Sequence, residues 1–165
     1  RNNFAFQKWH DYNDNLFKKV KKHAQDSISI NKDIQIYGFD LIFSNIAMAL
    51  YSARSLNLDK LLIFKKQDMQ HFNPKESKGA VIINPPYGER LDTDNDSLDL
   101  LYKMIGDVFK TQCVGFDCYV FTSNLEASKS IGLQTDKKII LKNGSLDARL
   151  LYYPIQSGDY NKKGS

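Results

Sequence analysis

Disulfides, zinc and membrane spans are the first things this sequence does without. Its two cysteines, Cys113 and Cys118, cannot build a disulfide framework, and with no histidine close by their spacing does not suit zinc. Free, reduced thiols in a cytoplasmic protein are the expectation, with no metal. No apolar run approaches the length that a bilayer crossing requires, so no membrane is expected either. The three histidines, His10, His23 and His71, show neither triad nor metal spacing and receive no role. Charge of one sign is also scarce: 23 Lys and Arg stand against 19 acidic residues, leaving +4. So mild an excess fits a polyanionic partner and a solvated basic surface equally well. Internal repeats and low-complexity blocks are missing too, which removes repeat architectures. The chain opens on Arg1 with no methionine and no apolar leader, so this end reads as a cut point within a longer protein.

What is present is the composition of one folded domain. At 165 residues, 42% hydrophobic and 12% aromatic, the chain is long and apolar enough for a real core. Residues 1–30 read as a lead-in segment and a basic helix. After the aromatic stretch from Phe4 to Trp9, Asp11 to Asp14 offer N-caps. Leu16, Phe17, Val20 and Ala24 then fall at helical spacing, with Lys18, Lys19, Lys21 and Lys22 on the other face. That basic face reads as solvated rather than as an RNA contact, and Trp9 with Phe4 and Phe6 as packing. Residues 31–157 alternate between strands and helices. The pattern predicts a strand over 34–40, a helix over 41–56, strands over 61–64 and 80–83, a helix over about 98–112, a strand over 116–122 and a short helix over 125–131. Strands over 138–141 and 148–153 are joined through Asn143-Gly144, a hairpin signal. This order describes an α/β fold with a mostly parallel sheet whose last strand runs antiparallel. Residues 158–165 form a polar tail.

The chain is organised around Ala80 to Arg90. Ala80 to Ile83 are apolar on both faces, as expected of a parallel strand covered by helices on each side. Pro85 and Pro86 then stop the ladder, because each lacks an N–H and fixes φ. The result is a stiff loop at the carboxyl edge of a sheet, where ligands bind in open α/β folds. It carries an amide that donates and accepts (Asn84), an aromatic face (Tyr87) and a glycine that permits close approach (Gly88). That inventory suits a planar base with an exocyclic amine. The amine lone pair is delocalised into the ring and must be localised before it can attack. The Asn84 side-chain oxygen and the Pro85 carbonyl can hold the two amine hydrogens and aim the lone pair at an electrophilic methyl group. Tyr87 would stack on a base that is unpaired or flipped. Arg90 reads as a structural ion-pair partner of Glu89 or Asp92 rather than as a phosphate contact.

Two acids end the preceding strands. Asp40 is placed to accept from both hydroxyls of a ribose, and Asp68 from an adenine amino group with Met69 packing near the ring. Taken singly, each can equally be a helix cap or a turn residue. With the Asn84 loop on the following strand, the pair becomes a coherent adenosine site.

Asn84-Pro85-Pro86-Tyr87-Gly88-Glu89-Arg90-Leu91 resembles motif IV of the THUMP-associated RNA methyltransferases, close to the bacterial 23S rRNA guanine-N2 enzymes. Arg1 with Phe4 to Trp9 is similar to the stretch after their motif I, Tyr37-Gly38-Phe39-Asp40 to motif II, Gln67-Asp68-Met69 to motif III, and Asn143-Gly144 with the final strand to their closing hairpin. The resemblance covers nearly the whole chain, and the octapeptide is its most specific part. It implies a Rossmann-like, class I S-adenosylmethionine-dependent methyltransferase fold that methylates guanine N2 of ribosomal RNA. Asn84, Pro85, Pro86 and Tyr87 would act at the base, and Asp40, Phe39, Asp68, Met69 and Asn84 at the cofactor.

The glycine-rich motif I and its strand would lie before Arg1, as would an RNA-capturing THUMP domain. Residues 31–157 are therefore expected to be a partial methyltransferase domain lacking its first strand, inactive alone, and associated with itself or with its missing N-terminal part. Adenine-N6 methylation of DNA or RNA and a non-catalytic RNA-binding module are the alternative readings.

Overall fold

Alternate burial along 116–122 sets the layout, with Phe116, Cys118, Val120 and Thr122 buried and Asp117, Tyr119 and Phe121 turned away. The computed structural model describes residues 3–29, 34–86 and 95–158. In chain order its elements are α1 (Asp14–Asp26), β1 (Ile36–Asp40), α2 (Phe43–Ser55), β2 (Leu62–Lys66), β3 (Gly79–Ile83), α3 (Asn95–Gln112), β4 (Phe116–Thr122), β5 (Lys137–Asn143) and β6 (Leu146–Pro154). Short 3-10 helices lie at Ala5–Lys8, Met69–His71 and Ala127–Ile131.

The strands form two sheets. β1 and β2 pair in parallel, and a second sheet has the order β3-β4-β6-β5. In it β3 and β4 are parallel while β6 runs antiparallel to both β4 and β5, as the closing hairpin predicts. The hairpin turns tightly at Gly144-Ser145, with Asn143 opposite Leu146 and Gly144 at φ +63.

The core lies on one face of the larger sheet. Tyr102, Ile105 and Phe109, spaced by three and four along α3, pack on Cys118, Val120, Leu151 and Tyr153. Gly106 lets α3 approach the Ala127–Ile131 turn, since a Cβ there would sit 1.9 Å from the Ile131 carbonyl oxygen. The two cysteines are free thiols inside this core, and a thiol–thiol hydrogen bond with Cys113, reinforced by burial, holds the Cys118 thiol far above its usual range.

One expectation is overturned. β3 is not covered on both faces: Val81 and Ile83 pack against the core, whereas Ile82 on the other face is 72% exposed. The smaller sheet is thinly covered as well, with Ile46 and Ala53 of α2 its buried apolar residues. In the N-terminal segment Asn13 caps α1 through a bond from Leu16 N–H at 3.0 Å. Phe4, Phe6, Tyr12 and Phe17 form an aromatic cluster of their own, with Trp9 at its rim and 66% exposed. Among the described residues no helix is long and apolar enough to cross a membrane.

Candidate active site at the carboxyl ends of the strands

Parallel pairing of β1 with β2 brings the two strand-ending acids to the same edge. Asp40 pairs opposite Lys66, and the Gln67 N–H donates to the Asp40 carbonyl at 3.1 Å, which ties the two strand exits together. Each acid then does local work. Asp40 Oδ1 accepts from the Ile42 N–H at 2.7 Å and Oδ2 from the Asn45 side-chain amide at 3.0 Å. Asp68 Oδ1 accepts from the Gln70 N–H at 2.9 Å and Oδ2 from the Gln70 side chain at 3.2 Å. The cap reading is thus present in both, although α2 itself begins at Phe43 with Ile42 as an N-cap that makes no side-chain bond. An ionised carboxylate offers about four acceptor positions, so each acid keeps unused capacity.

Phe39 lies at the edge of the same strand, stacked on Tyr37 at 6.2 Å and edge-on to Phe72 at 5.7 Å. Gly38 between them is required, because a Cβ there would meet the Phe64 ring at 2.6 Å across the β1–β2 pair. Met69 and Phe72 pack partly buried against the main core, as do Val81 and Ile83 of β3, so the turn after Asp68 and the β3 exit share one foundation. Met69 is therefore turned at least partly into the protein.

Asn84 follows β3 directly and is exposed, Pro85 is buried, and Pro86 is exposed again. The buried proline pins the loop while its neighbours remain accessible. Tyr87, Gly88, Glu89, Arg90, Leu91 and Asp92 lie outside the described residues. Sequence reasoning missed Asn45 and Gln70, the amide donors that hold the two acids. The available signal was an amide residue shortly after each strand-ending acid, five positions on for Asn45 and two for Gln70.

Parallel strands that end in two acids and an Asn-Pro-Pro loop, on an α/β sheet closed by an antiparallel hairpin, define the Rossmann-like fold of class I methyltransferases, whose cofactor is S-adenosylmethionine. The chain belongs to the family of RMKL-like methyltransferase domains, which it matches over residues 2–151. It is 31% identical over 160 residues to the ribosomal RNA large subunit methyltransferase K/L of Allochromatium vinosum, covering 94% of this chain and 22% of that protein. Among solved structures it is similar to SMU.472, a candidate methyltransferase complexed with SAH, at 29% identity and a TM-score of 0.82 over 95% of this chain and 41% of that one. It is also similar to a protein from Listeria monocytogenes str. 4b F2365 described as a predicted N6-adenine-specific DNA methylase. There the identity is 28% and the TM-score 0.70, over 88% of this chain and 37% of that one. The chain thus spans well under half the length of these relatives.

Proposed function

We propose that this chain supplies the nucleoside-binding acids and the base-handling loop of an RNA methyltransferase that modifies guanine N2 of large-subunit (23S) ribosomal RNA. The observation that carries the reading is the Asn84-Pro85-Pro86 loop leaving the carboxyl end of β3, with Asp40 and Asp68 at the same ends of β1 and β2. When bound, S-adenosylmethionine supplies an electrophilic methyl group. The acids fit its nucleoside half: Asp40 has one accepted bond on each oxygen, which leaves acceptor positions for two ribose hydroxyls, and Asp68 has the same for an amine. Asn84 and the Pro85 carbonyl hold the two hydrogens of the exocyclic amine and orient its lone pair. Tyr87 stacks on the flipped base, with Phe39 and Met69 beside the cofactor's adenosine.

The chain is on this reading one part of a longer protein, whose upstream segment adds the strand and glycine-rich turn that hold the methionine end of the cofactor and a domain that captures RNA. The split between the β1–β2 sheet and the β3–β6 sheet supports this, as does the exposure of Ile82 at the free side of β3. The isolated chain is then inactive and self-associating, and the parent protein is cytoplasmic.

The test is the parent protein with labelled S-adenosylmethionine and ribosomal RNA, digested to nucleosides. N2-methylguanosine is expected, and Asn84→Ala is expected to lower its formation about 10²–10³-fold. Likeness to the Listeria protein favours a second reading, adenine-N6 methylation, since the same loop serves either amine. Labelled N6-methyladenosine without N2-methylguanosine would replace the first reading with the second.

A further inference from the structure

We propose that Asn45 is a positioning residue for cofactor capture: its amide fixes the plane of the Asp40 carboxylate so that the unused acceptor positions face a ribose diol. The proposal rests on the reading of Asp40 as the ribose acceptor. A carboxylate turns easily about its terminal torsion, which is broad and nearly two-fold. Bonded to the Ile42 N–H alone, Asp40 would pivot on one oxygen. The second bond, from Asn45 Nδ2 to Oδ2 at 3.0 Å, removes that freedom. Asn45 delivers it from the first turn of α2, a helix that lies against the β1–β2 pair and buries Ile46 and Ala53.

Three features separate this from an ordinary cap. The bond does not close a helix end, since Ile42 is the N-cap and makes no side-chain bond. The donor is a neutral amide, which orients the carboxylate without neutralising it as Lys or Arg would. Asn45 also lies five residues beyond Asp40, past the nearby backbone donors that an ordinary cap engages. Two ribose hydroxyls need one acceptor on each oxygen, and one accepted bond per oxygen leaves that pattern free. Asn45 is exposed, so its replacement leaves the core untouched.

The experiment is calorimetric titration of the parent protein with S-adenosylhomocysteine and with its 2′-deoxyribose analogue, for wild type, Asn45→Ala and Asp40→Asn, with thermal melts without ligand as the control for folding. Asn45→Ala is expected to weaken S-adenosylhomocysteine binding roughly three- to tenfold at unchanged melting temperature. The penalty for removing the 2′-hydroxyl should shrink in that variant, the coupling that a shared interaction produces. Equal weakening toward both ligands would mean that Asn45 supports structure alone and would overturn the proposal. So would unchanged affinity in Asn45→Ala where Asp40→Asn binds weakly. Unchanged affinity in Asp40→Asn would remove the ribose reading itself, and the proposal with it.

Discussion

The hydroxyls of Tyr102 and Thr122 meet at 2.6 Å in the fully buried centre of the domain, tying α3 to β4. Thr122 also accepts the Asn124 N–H at 3.0 Å, so it serves two partners while the phenol makes one of these bonds. Tyr102→Phe removes the buried bond to Thr122 and should lower unfolding free energy by about 1 kcal/mol. Thr122→Val removes that bond together with those exchanged with Asn124 and should lower it by about 2 kcal/mol or more. Denaturant melts of both variants check the order, and equal losses would contradict the shared role of Thr122.

Gly106 tests the contact between α3 and the Ala127–Ile131 turn. An alanine Cβ would overlap the Ile131 carbonyl, so Gly106→Ala should destabilise by about 1–3 kcal/mol despite the better helix propensity of alanine. A stabilised variant in urea titration would show that the two elements are further apart than described.

Tyr152 gives a pH signature. Its hydroxyl donates to Asp117 Oδ1, and that bond, followed by desolvation, pushes the phenol up to about 12. A folded-state pKa raised above the unfolded value of about 10 means that this contribution is fully present below pH of about 10 and is lost as pH rises toward 12. The gap in melting temperature between wild type and Tyr152→Phe should therefore be constant to about pH 10 and close above it. Tyrosinate absorbance assigns the transition to the phenol, because the Lys137 ammonium lies over the same ring at 5.9 Å and absorbance reports the ring alone. A gap independent of pH would refute the assignment.

The bare face of β3 predicts association of the isolated chain. Sedimentation velocity should show concentration-dependent assembly, weakened by Ile82→Lys at the exposed position. A cooperatively melting monomer at all concentrations would end that expectation.

How far the sequence could be read depended on the kind of signal. The strand expected over 116–122 coincides with β4 to the residue, and Asn143-Gly144 located the hairpin. The start of α2 was placed two residues early, since Leu41 and Ile42 look helical but Asp40 accepts the Ile42 N–H and holds that turn outside the helix. Exposure of Ile82 was not legible, because an apolar pattern records a strand's taste for partners and not their presence. The amides of Asn45 and Gln70 escaped because single side chains that reach backward leave no periodic trace. The Asn-Pro-Pro loop was the reverse case: its prolines marked the end of the strand, and β3 ends at Ile83 just before Asn84.

Burial is unevenly shared between the two sheets. Apart from Ile46, Ala53 and Pro85, every buried apolar residue described lies between Leu98 and Ile155. Amide hydrogens of β1 and α2 should therefore exchange ahead of those of α3 and β4, through local openings far cheaper than global unfolding. Of the two acids, Asp40 stands on the softer unit, whereas Asp68 leads into Met69 and Phe72, which pack on the main core. A ligand gripping Asp40 must first populate the ordered arrangement, so its observed affinity is the intrinsic one multiplied by the fraction of time that unit is closed. Anything that stiffens β1 and β2 tightens binding there without touching the ligand.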